Sequence, residues 1–147
     1  MSEFESILEN SLKGVSSGFE QAIEDLNEFV GSLSQAVQKA LQPKRSTLRL
    51  EQVHEDVEET IFRLDLTVVA ARELPPPRGA TVGEYRLSHN GYPISAGSWD
   101  RREGFSEAER FQNKKILENH FKKMLGNPSS PLVAQVAFHR RQHKRSA

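Results

Sequence analysis

The sequence contains no cysteine. Disulfide bonds, thiolate nucleophiles and zinc sites with cysteine ligands are therefore excluded. A chain that uses no disulfides fits a reducing compartment, and the expected location is cytoplasmic.

Long hydrophobic segments are also missing. The longest wholly apolar run, Val68 to Ala71, is much shorter than the roughly 20 residues that a transmembrane helix needs. The N-terminal segment is acidic and has no unbroken apolar core, so we expect no secretory signal peptide. The sequence therefore predicts a soluble protein without a membrane span.

The chain has no net charge, but its charges are distributed unevenly. Residues 1–42 hold seven acidic and two basic residues, whereas the remainder holds thirteen acidic and eighteen basic residues. Residues 139–147 hold four basic residues and no acidic one. An acidic end and a basic end are expected to attract each other within an oligomer, or to bind separate partners.

Proline is absent from residues 1–42, and this segment has the most regular pattern in the chain. Its apolar residues follow one another at alternating steps of four and three, the heptad spacing of a helix that packs against another helix. We interpret the segment as a helical oligomerisation or docking arm. The apolar seam comprises Leu8, Leu12, Val15, Phe19, Ala22, Leu26, Phe29, Leu33, Ala36 and Ala40.

Two glycines, Gly14 and Gly18, weaken this helix, because glycine costs about 1 kcal/mol relative to alanine in a helix interior. The segment is therefore either one continuous helix or two helices that fold back near these glycines. The seam keeps its phase across both glycines, which favours the continuous helix. Pro43 ends the helix, since proline disfavours helical geometry in the residue before it, and residues 43–46 form a linker.

Beyond the linker the hydrophobic period changes to two, which is typical of half-buried strands. Residues 47–50 and 62–70 predict an antiparallel hairpin around a polar turn. The alternating apolar residues of its second strand end at Ala70. Three consecutive prolines then predict a stiff, extended loop over residues 73–79.

Asn90-Gly91 is a strong signal for a second hairpin. A two-residue turn there sets Leu87 opposite Ile94 and Ser88 opposite Pro93. Because Pro93 has no N–H to donate to a further neighbour, its strand is expected at the edge of the sheet. The residues predicted to share the buried face are Tyr85, Leu87, Ile94 and Ala96.

Two more helices are predicted near the C-terminus. Ser106 and Glu109 have the spacing of a capping box, which predicts a helix over residues 106–125. Ser130 followed by Pro131 is typical of a helix start, so a last helix is favoured there. A fifth strand is the alternative, since apolar residues also alternate between residues 132 and 138.

These elements predict an α+β protein. A long N-terminal amphipathic helix precedes a small antiparallel sheet of about four strands, which is packed by one or two C-terminal helices. The α+β domain is expected to span residues 47–138, and residues 139–147 form a basic tail.

Two groups of residues have some features of metal sites. His139 and His143 have the helical spacing of paired metal ligands, but four basic residues flank them and oppose a metal ion. Residues 54–59 combine one histidine with four acidic residues, yet no glycine or asparagine shapes a binding loop. We interpret the first group as part of a basic tail and the second as a solvated turn, and we expect no metal or other cofactor.

No nucleophile with an adjacent base and orienting acid is identifiable, and common catalytic motifs are missing. Aromatic and histidine side chains gather around the second hairpin, where they suit either a binding surface or, as we favour, the rim of a core. This group consists of Tyr85, His89, Tyr92 and Trp99.

The preferred function is a non-catalytic interaction or scaffold module, with either the chain itself or a partner helix bound at the seam. The residues expected to form the assembly surface are Leu8, Leu12, Val15, Phe19, Leu26, Phe29 and Leu33. An alternative is a binder of nucleic acid or another polyanion, such as an acidic protein, through Arg140, Arg141, Lys144 and Arg145. Bases of the predicted 106–125 helix would extend that surface. A third alternative is a small enzyme with a site assembled across the sheet.

Overall fold

The structure is a computed structural model that describes residues 2–69 and 79–146, with side chains described as far as Gln142. One long helix is followed by five strands and two shorter helices, and the predicted α+β class is confirmed. The elements are α1 (Glu3–Leu41), β1 (Arg45–Glu55), β2 (Glu59–Val69), β3 (Ala80–Ser88), β4 (Gly91–Asp100), β5 (Gly104–Phe111), α2 (Lys114–Gly126) and α3 (Pro131–Ser146).

The first helix, α1, is unbroken over 39 residues and spans about 58 Å at ~1.5 Å per residue. The side-chain oxygen of Ser2 accepts a hydrogen bond from the backbone N–H of Glu5 at 3.2 Å and so caps the helix. Glu3 and Glu5 lie in the first turn, where the helix dipole favours negative charge. The continuous-helix interpretation is confirmed, and the alternative that folds back near Gly14 and Gly18 is wrong.

The five strands form one antiparallel sheet in which every strand pairs with its neighbour in sequence, in the order β1-β2-β3-β4-β5. The predicted first hairpin is confirmed, with Leu48 opposite Leu66 and Leu50 opposite Leu64. Ala70 and residues 73–78 of the predicted proline loop lie outside the described residues.

The sheet has one strand more than predicted, because residues 104–111 form β5. These residues pair with β4, from Gly104 opposite Asp100 to Phe111 opposite Ile94. The helix start predicted at Ser106 is therefore wrong. Helix α2 begins only at Lys114, where the side chain of Asn113 accepts a hydrogen bond from the N–H of Ile116 at 3.0 Å.

The β3–β4 hairpin confirms the pairing of Leu87 with Ile94. An irregularity next to it pairs Ser88 with Gly91, so the predicted pairing of Ser88 with Pro93 is wrong. The edge position predicted for β4 is also wrong, since β4 lies between β3 and β5. The pairing of β4 with β5 begins at Ile94, so Pro93 precedes it and no ladder hydrogen bond is lost there.

Three helices cover one face of the sheet. Helix α3 occupies the position where a last helix was favoured over a strand, and this prediction is confirmed. The hydroxyl of Ser130 donates to the carbonyl of Met124 at 2.8 Å and accepts from the N–H of Val133 at 3.3 Å, which links α2 to the start of α3. The predicted buried face of the second hairpin is confirmed, since Tyr85, Leu87 and Ile94 are buried and Ala96 packs against them.

The opposite face of the sheet carries charged side chains that pair with one another. Arg63 lies 3.4 Å from Glu84, while Arg86 and Arg110 lie 3.1 Å and 3.0 Å from Glu107. Hydrogen bonds from Ser95 and Arg110 hold the pKa of the Glu107 carboxyl below its usual value. This face is therefore covered by mixed and largely neutralised charge.

Candidate functional site

The N-terminal part of α1 is an exposed, amphipathic helix. We call residues 3–17 the arm; none of them is buried, and the first buried residue of α1 is Ala22. Phe4, Leu8 and Leu12 are 84, 58 and 49% exposed. Ile7 is exposed on the same side and Val15 is half-buried. The arm thus presents a contiguous apolar stripe to solvent, which monomeric proteins rarely do without a binding partner.

The remainder of the heptad seam packs within the chain itself. Leu26, Phe29 and Leu33 are buried against the sheet and α2, and Phe19 is partly buried at the edge of the same core. These buried side chains satisfy the apolar periodicity without a second chain. The surface that remains open to a partner is therefore narrower than the one predicted from the seam, and it is centred on Leu8 and Leu12.

Gly18 marks the point where the arm meets the domain. A Cβ atom at Gly18 would clash with the carbonyl oxygen of Asn90, and one at Gly91 would clash with the carbonyl oxygen of Gly18. Gly91 also has a φ of +99°, a conformation that favours glycine. The helix and the turn therefore touch backbone to backbone. The sequence indicated only that Gly18 weakens the helix, whereas in the structure Gly18 allows this close packing.

A buried carboxylate, Asp25, ties α1 to the sheet and to α2. Its oxygens accept hydrogen bonds from the Tyr92 hydroxyl and from the Gln21 side-chain amide, both at 2.8 Å. The ammonium of Lys114 lies 3.8 Å from Asp25 and 2.8 Å from Glu28. Burial and the bond to Asp25 raise the pKa of Tyr92, so its hydroxyl remains a donor at neutral pH.

A second candidate site is an open cleft of about 660 Å³ between the sheet and the α2–α3 connection. On its wall, the Tyr85 hydroxyl lies 2.9 Å from Nε2 of His120, and Nδ1 of His120 lies 3.5 Å from Glu109. The carboxylate favours a proton on Nδ1, so Nε2 accepts the hydrogen bond from Tyr85. The sequence thus supplies a Tyr–His–Glu chain in a cavity of the size that small ligands occupy.

Burial favours the neutral forms of both His120 and Tyr85. Burial holds the pKa of His120 below its usual value, although the nearby Glu109 carboxylate opposes this effect. Burial also raises the pKa of Tyr85. Both ring nitrogens of His120 already have partners, so His120 acts as a general base only if a ligand replaces the Tyr85 hydroxyl. In the described contacts, Tyr85, His120 and Glu109 form a polar part of the core that borders the cleft.

A pH-dependent stability follows from His120. In the unfolded chain this histidine binds a proton near pH 6.5, whereas the folded protein keeps it neutral to lower pH. The contribution of neutral His120 to the free energy of unfolding is therefore present above about pH 6.5. It is lost as the pH falls toward the lowered pKa of His120 in the folded protein. We expect the urea midpoint to fall between about pH 7.5 and about pH 5.5, and to fall less in His120→Gln. An equal pH dependence in both proteins would contradict this assignment.

The acidic turn between β1 and β2 brings three potential metal ligands together. Donor atoms of His54, Asp56 and Glu59 lie within 4.8 Å of one another. His54 is 3.0 Å from one oxygen of Asp56, and the other oxygen accepts backbone N–H groups of Glu58 and Glu59. The hydrogen bond to His54 holds the pKa of Asp56 below its usual value, and the two backbone N–H bonds add a smaller effect in the same direction. Hydrogen bonds within the turn account for its geometry.

The predicted anion-binding residues lie on α3. Arg140 and Arg141 are exposed, whereas the side chains of Lys144 and Arg145, and that of His143, lie outside the described residues. The α2 lysines that would extend a basic face are partly engaged with acidic residues, since Lys115 and Lys122 lie 3.3 Å and 3.1 Å from Glu118. The described bases therefore do not form one uninterrupted basic surface.

The aromatic group of the second hairpin is dispersed in the structure. Tyr85 belongs to the core, Tyr92 binds Asp25, and His89 is exposed. Trp99 stacks on His54 with ring centroids 5.5 Å apart, although β1 and β4 are not neighbours, which shows how strongly the sheet curls. The rim interpretation describes these side chains better than a single binding surface does.

Sequence reasoning missed His120 and Glu109 as a pair. His120 does carry a signal, because it lies three residues after Leu117 and four before Met124, on the face of α2 that is buried. Its partners Tyr85 and Glu109 come from separate strands, so only the tertiary fold brings them together. Asp25 carries the same kind of signal, because it lies three residues after Ala22 and four before Phe29, which are both buried.

Neither a protein-family model, nor a curated protein, nor a solved structure matches this chain. Among the helices of residues 2–69 and 79–146, none combines the length and hydrophobicity that crossing a membrane requires. Function is therefore inferred from the exposed and buried residues themselves.

Proposed function

We propose that this protein is a non-catalytic self-association module whose arm binds a second copy of the chain. The observation that carries the proposal is the exposed apolar stripe of the arm. Burying Leu8 and Leu12 removes apolar area from water, and each fully buried side chain of this kind contributes about 2 kcal/mol. The acidic and amide side chains on the other side of the arm remain hydrated.

Leu8 and Leu12 of the stripe are not covered by the described residues of the protein's own domain. Helix α1 is continuous, Gly18 meets the β3–β4 turn, and residues 3–14 on the N-terminal side of Gly18 are exposed. Folding back would break several helical hydrogen bonds around Gly14. A partner outside this chain therefore accounts for the stripe better than an intramolecular contact does.

The double substitution Leu8→Asp and Leu12→Asp tests this function. It places two charges in the stripe and is expected to convert an oligomer into a 16.6 kDa monomer, measured by light scattering over a range of concentrations. The matched control is Asn10→Asp with Ser17→Asp, which adds the same charge on the opposite side of the same helix. The control is expected to retain the wild-type mass.

Circular dichroism should show that both variants remain folded, because neither site contacts the core. A wild-type protein that stays monomeric at every concentration contradicts the proposal. So does a Leu8→Asp, Leu12→Asp variant that is folded and has the wild-type mass.

The two alternatives have less support. Polyanion binding lacks an uninterrupted basic surface among the described residues, and it predicts salt-sensitive binding of DNA or RNA that is lost when residues 139–147 are removed. An enzyme with a site across the sheet is favoured by one observation, the cleft that contains His120 and Glu109. Both ring nitrogens of His120 are already occupied there, which is why a catalytic role is not the preferred function.

A further inference from the structure

The cleft between the sheet and the α2–α3 connection has a floor of short side chains. Gly83 of β3 has no side chain, and Ala96 of β4, which lies opposite Tyr85, has only a methyl group. A Cβ atom at Gly83 would lie 3.0 Å from the Tyr85 hydroxyl oxygen, so the tyrosine side chain lies over this glycine. The short side chains leave open a volume of about 660 Å³, which is within the range that small ligands occupy.

Hydrogen bonds fix the wall that the α2–α3 connection contributes to the cleft. The Ser130 hydroxyl donates to the Met124 carbonyl at 2.8 Å, and the Ser130 N–H donates to the Asn127 carbonyl at 3.0 Å. The Asn127 side chain accepts a further bond from the N–H of Ser129 at 3.0 Å. The cleft is therefore formed without a ligand, as small-molecule sites usually are.

The buried polar side chains of the cleft bind one another. Tyr85 donates to Nε2 of His120, and Glu109 lies 3.5 Å from Nδ1 of the same ring. The Ser130 hydroxyl donates one hydrogen bond and accepts another. A charged ligand group that enters the cleft therefore loses its hydration without finding an unpaired partner among these buried side chains.

Most of the other side chains that line the cleft are apolar. Val82 and Met124 are buried core residues whose surfaces border the open volume. Displacing water from such surfaces by an apolar ligand is favourable. The apolar lining consists of Val82, Tyr85, Ala96, Met124 and Pro131.

The charged side chains of the cleft balance one another. Glu84 is paired with Arg63 at 3.4 Å. Glu109 and Lys123 carry one charge of each sign, and both are exposed, so they lie at the mouth. A ligand charge of either sign would meet one attractive and one repulsive group there. The electrostatics of the cleft therefore favours an uncharged ligand.

We propose that this cleft binds a small, uncharged and largely apolar molecule. The ligand lies against Ala96 and Met124, and the hydrogen-bonded pair of Tyr85 and His120 forms part of the wall. This binding function goes beyond the self-association proposed above and does not depend on it, because none of the arm residues lines the cleft.

Two fluorescent probes with the same aromatic body test the class of ligand. Phenylnaphthylamine is uncharged, whereas anilinonaphthalene sulfonate carries an additional sulfonate group. Titration of the full chain is expected to show that the uncharged probe binds about tenfold more tightly or better, because the sulfonate loses hydration without an unpaired partner. Equal affinity of the two probes, or tighter binding of the sulfonate, would overturn the assignment to an uncharged ligand.

Ala96→Leu tests the position of the site, and Ala108→Leu is its matched control. The longer side chain at position 96 occupies the space above the floor and is expected to weaken phenylnaphthylamine binding roughly tenfold or more. Ala108 is exposed on the neighbouring strand β5 and is not one of the residues that line the cleft. Ala108→Leu is therefore expected to bind the probe as the wild type does.

Met124 provides a second measurement that does not require a folded Ala96→Leu variant. The chain has two methionines, and Met124 lines the cleft. In wild-type protein labelled at the methionine methyl carbons, the NMR signal of Met124 is expected to shift with added phenylnaphthylamine. The shift should saturate with the dissociation constant measured by fluorescence, while the signal of Met1 stays in place. Met124→Leu assigns the two signals.

Three results would contradict a site in the cleft. The first is a Met124 signal that does not shift when the probe is bound. The second is a folded Ala96→Leu variant that binds phenylnaphthylamine as tightly as the wild type does. The third is loss of binding in Leu8→Asp with Leu12→Asp, which would place the probe on the stripe of the arm; binding is expected to persist in this variant whether or not the protein self-associates.

Discussion

Gly18→Ala is expected to destabilise the folded protein, whereas Gly14→Ala is expected to stabilise it. Both substitutions gain up to about 1 kcal/mol of helix propensity, and a methyl group at Gly14 meets no atom within 4 Å. At Gly18 the same methyl group meets the backbone carbonyl of Asn90, which cannot turn away as a side chain can. Overpacking of this kind costs up to about 3 kcal/mol, which exceeds the gain in propensity.

Urea unfolding monitored by circular dichroism measures both free energies of unfolding. The difference between the variants isolates the contact of the helix with the β3–β4 turn, because the propensity gain is common to both. Equal stabilisation by the two substitutions would show that Gly18 does not pack closely against Asn90. Gly31→Ala, which also meets open space, is a further control.

Asp25→Ala is the second substitution with a large expected effect, a loss of about 2–3 kcal/mol in the free energy of unfolding. It removes the acceptor of the Tyr92 hydroxyl and the partner of the Gln21 amide. Asp25→Asn keeps an acceptor oxygen for Tyr92 and is expected to cost about 1 kcal/mol. Comparing Asp25→Asn with Asp25→Ala separates the contribution of the hydrogen bond to Tyr92 from that of the negative charge.

A double-mutant cycle with Tyr92→Phe checks this assignment. If the hydroxyl and the carboxylate stabilise each other, the loss in Asp25→Ala with Tyr92→Phe is smaller than the sum of the two single losses. Additive losses would show that Asp25 acts through its other contacts. Thermal unfolding provides the same comparison independently of urea.

The sequence predicted the elements whose signals are local. The heptad phase across Gly14 and Gly18 predicted a continuous α1, and Asn90-Gly91 predicted the hairpin that pairs Leu87 with Ile94. The beginning of α2 was predicted incorrectly because the Ser106–Glu109 spacing suits a helix cap, while pairing with β4 makes the same residues a strand. Strand pairing is a long-range property, and a local cap signal does not contain it.

The candidate site shows the same division between local and long-range information. Periodicity correctly indicated that the seam of α1 packs against something, but periodicity does not identify the partner. The structure assigns Leu26, Phe29 and Leu33 to the protein's own core and leaves Leu8 and Leu12 exposed. Similarly, the contact of His120 with Glu109 joins a helix to a strand, so no spacing in the sequence reveals it.

The position of α1 at the beginning of the described fold has a consequence for synthesis on the ribosome. Its core-facing side packs against β1 and β4, and β4 begins 50 residues after Leu41. At about 5–20 residues per second, translation of that interval takes roughly 3–10 s. During this time the side of α1 that packs against β4 remains uncovered. The arm is therefore synthesised before the sheet that follows it, and its apolar side is accessible to chaperones while that sheet is still incomplete.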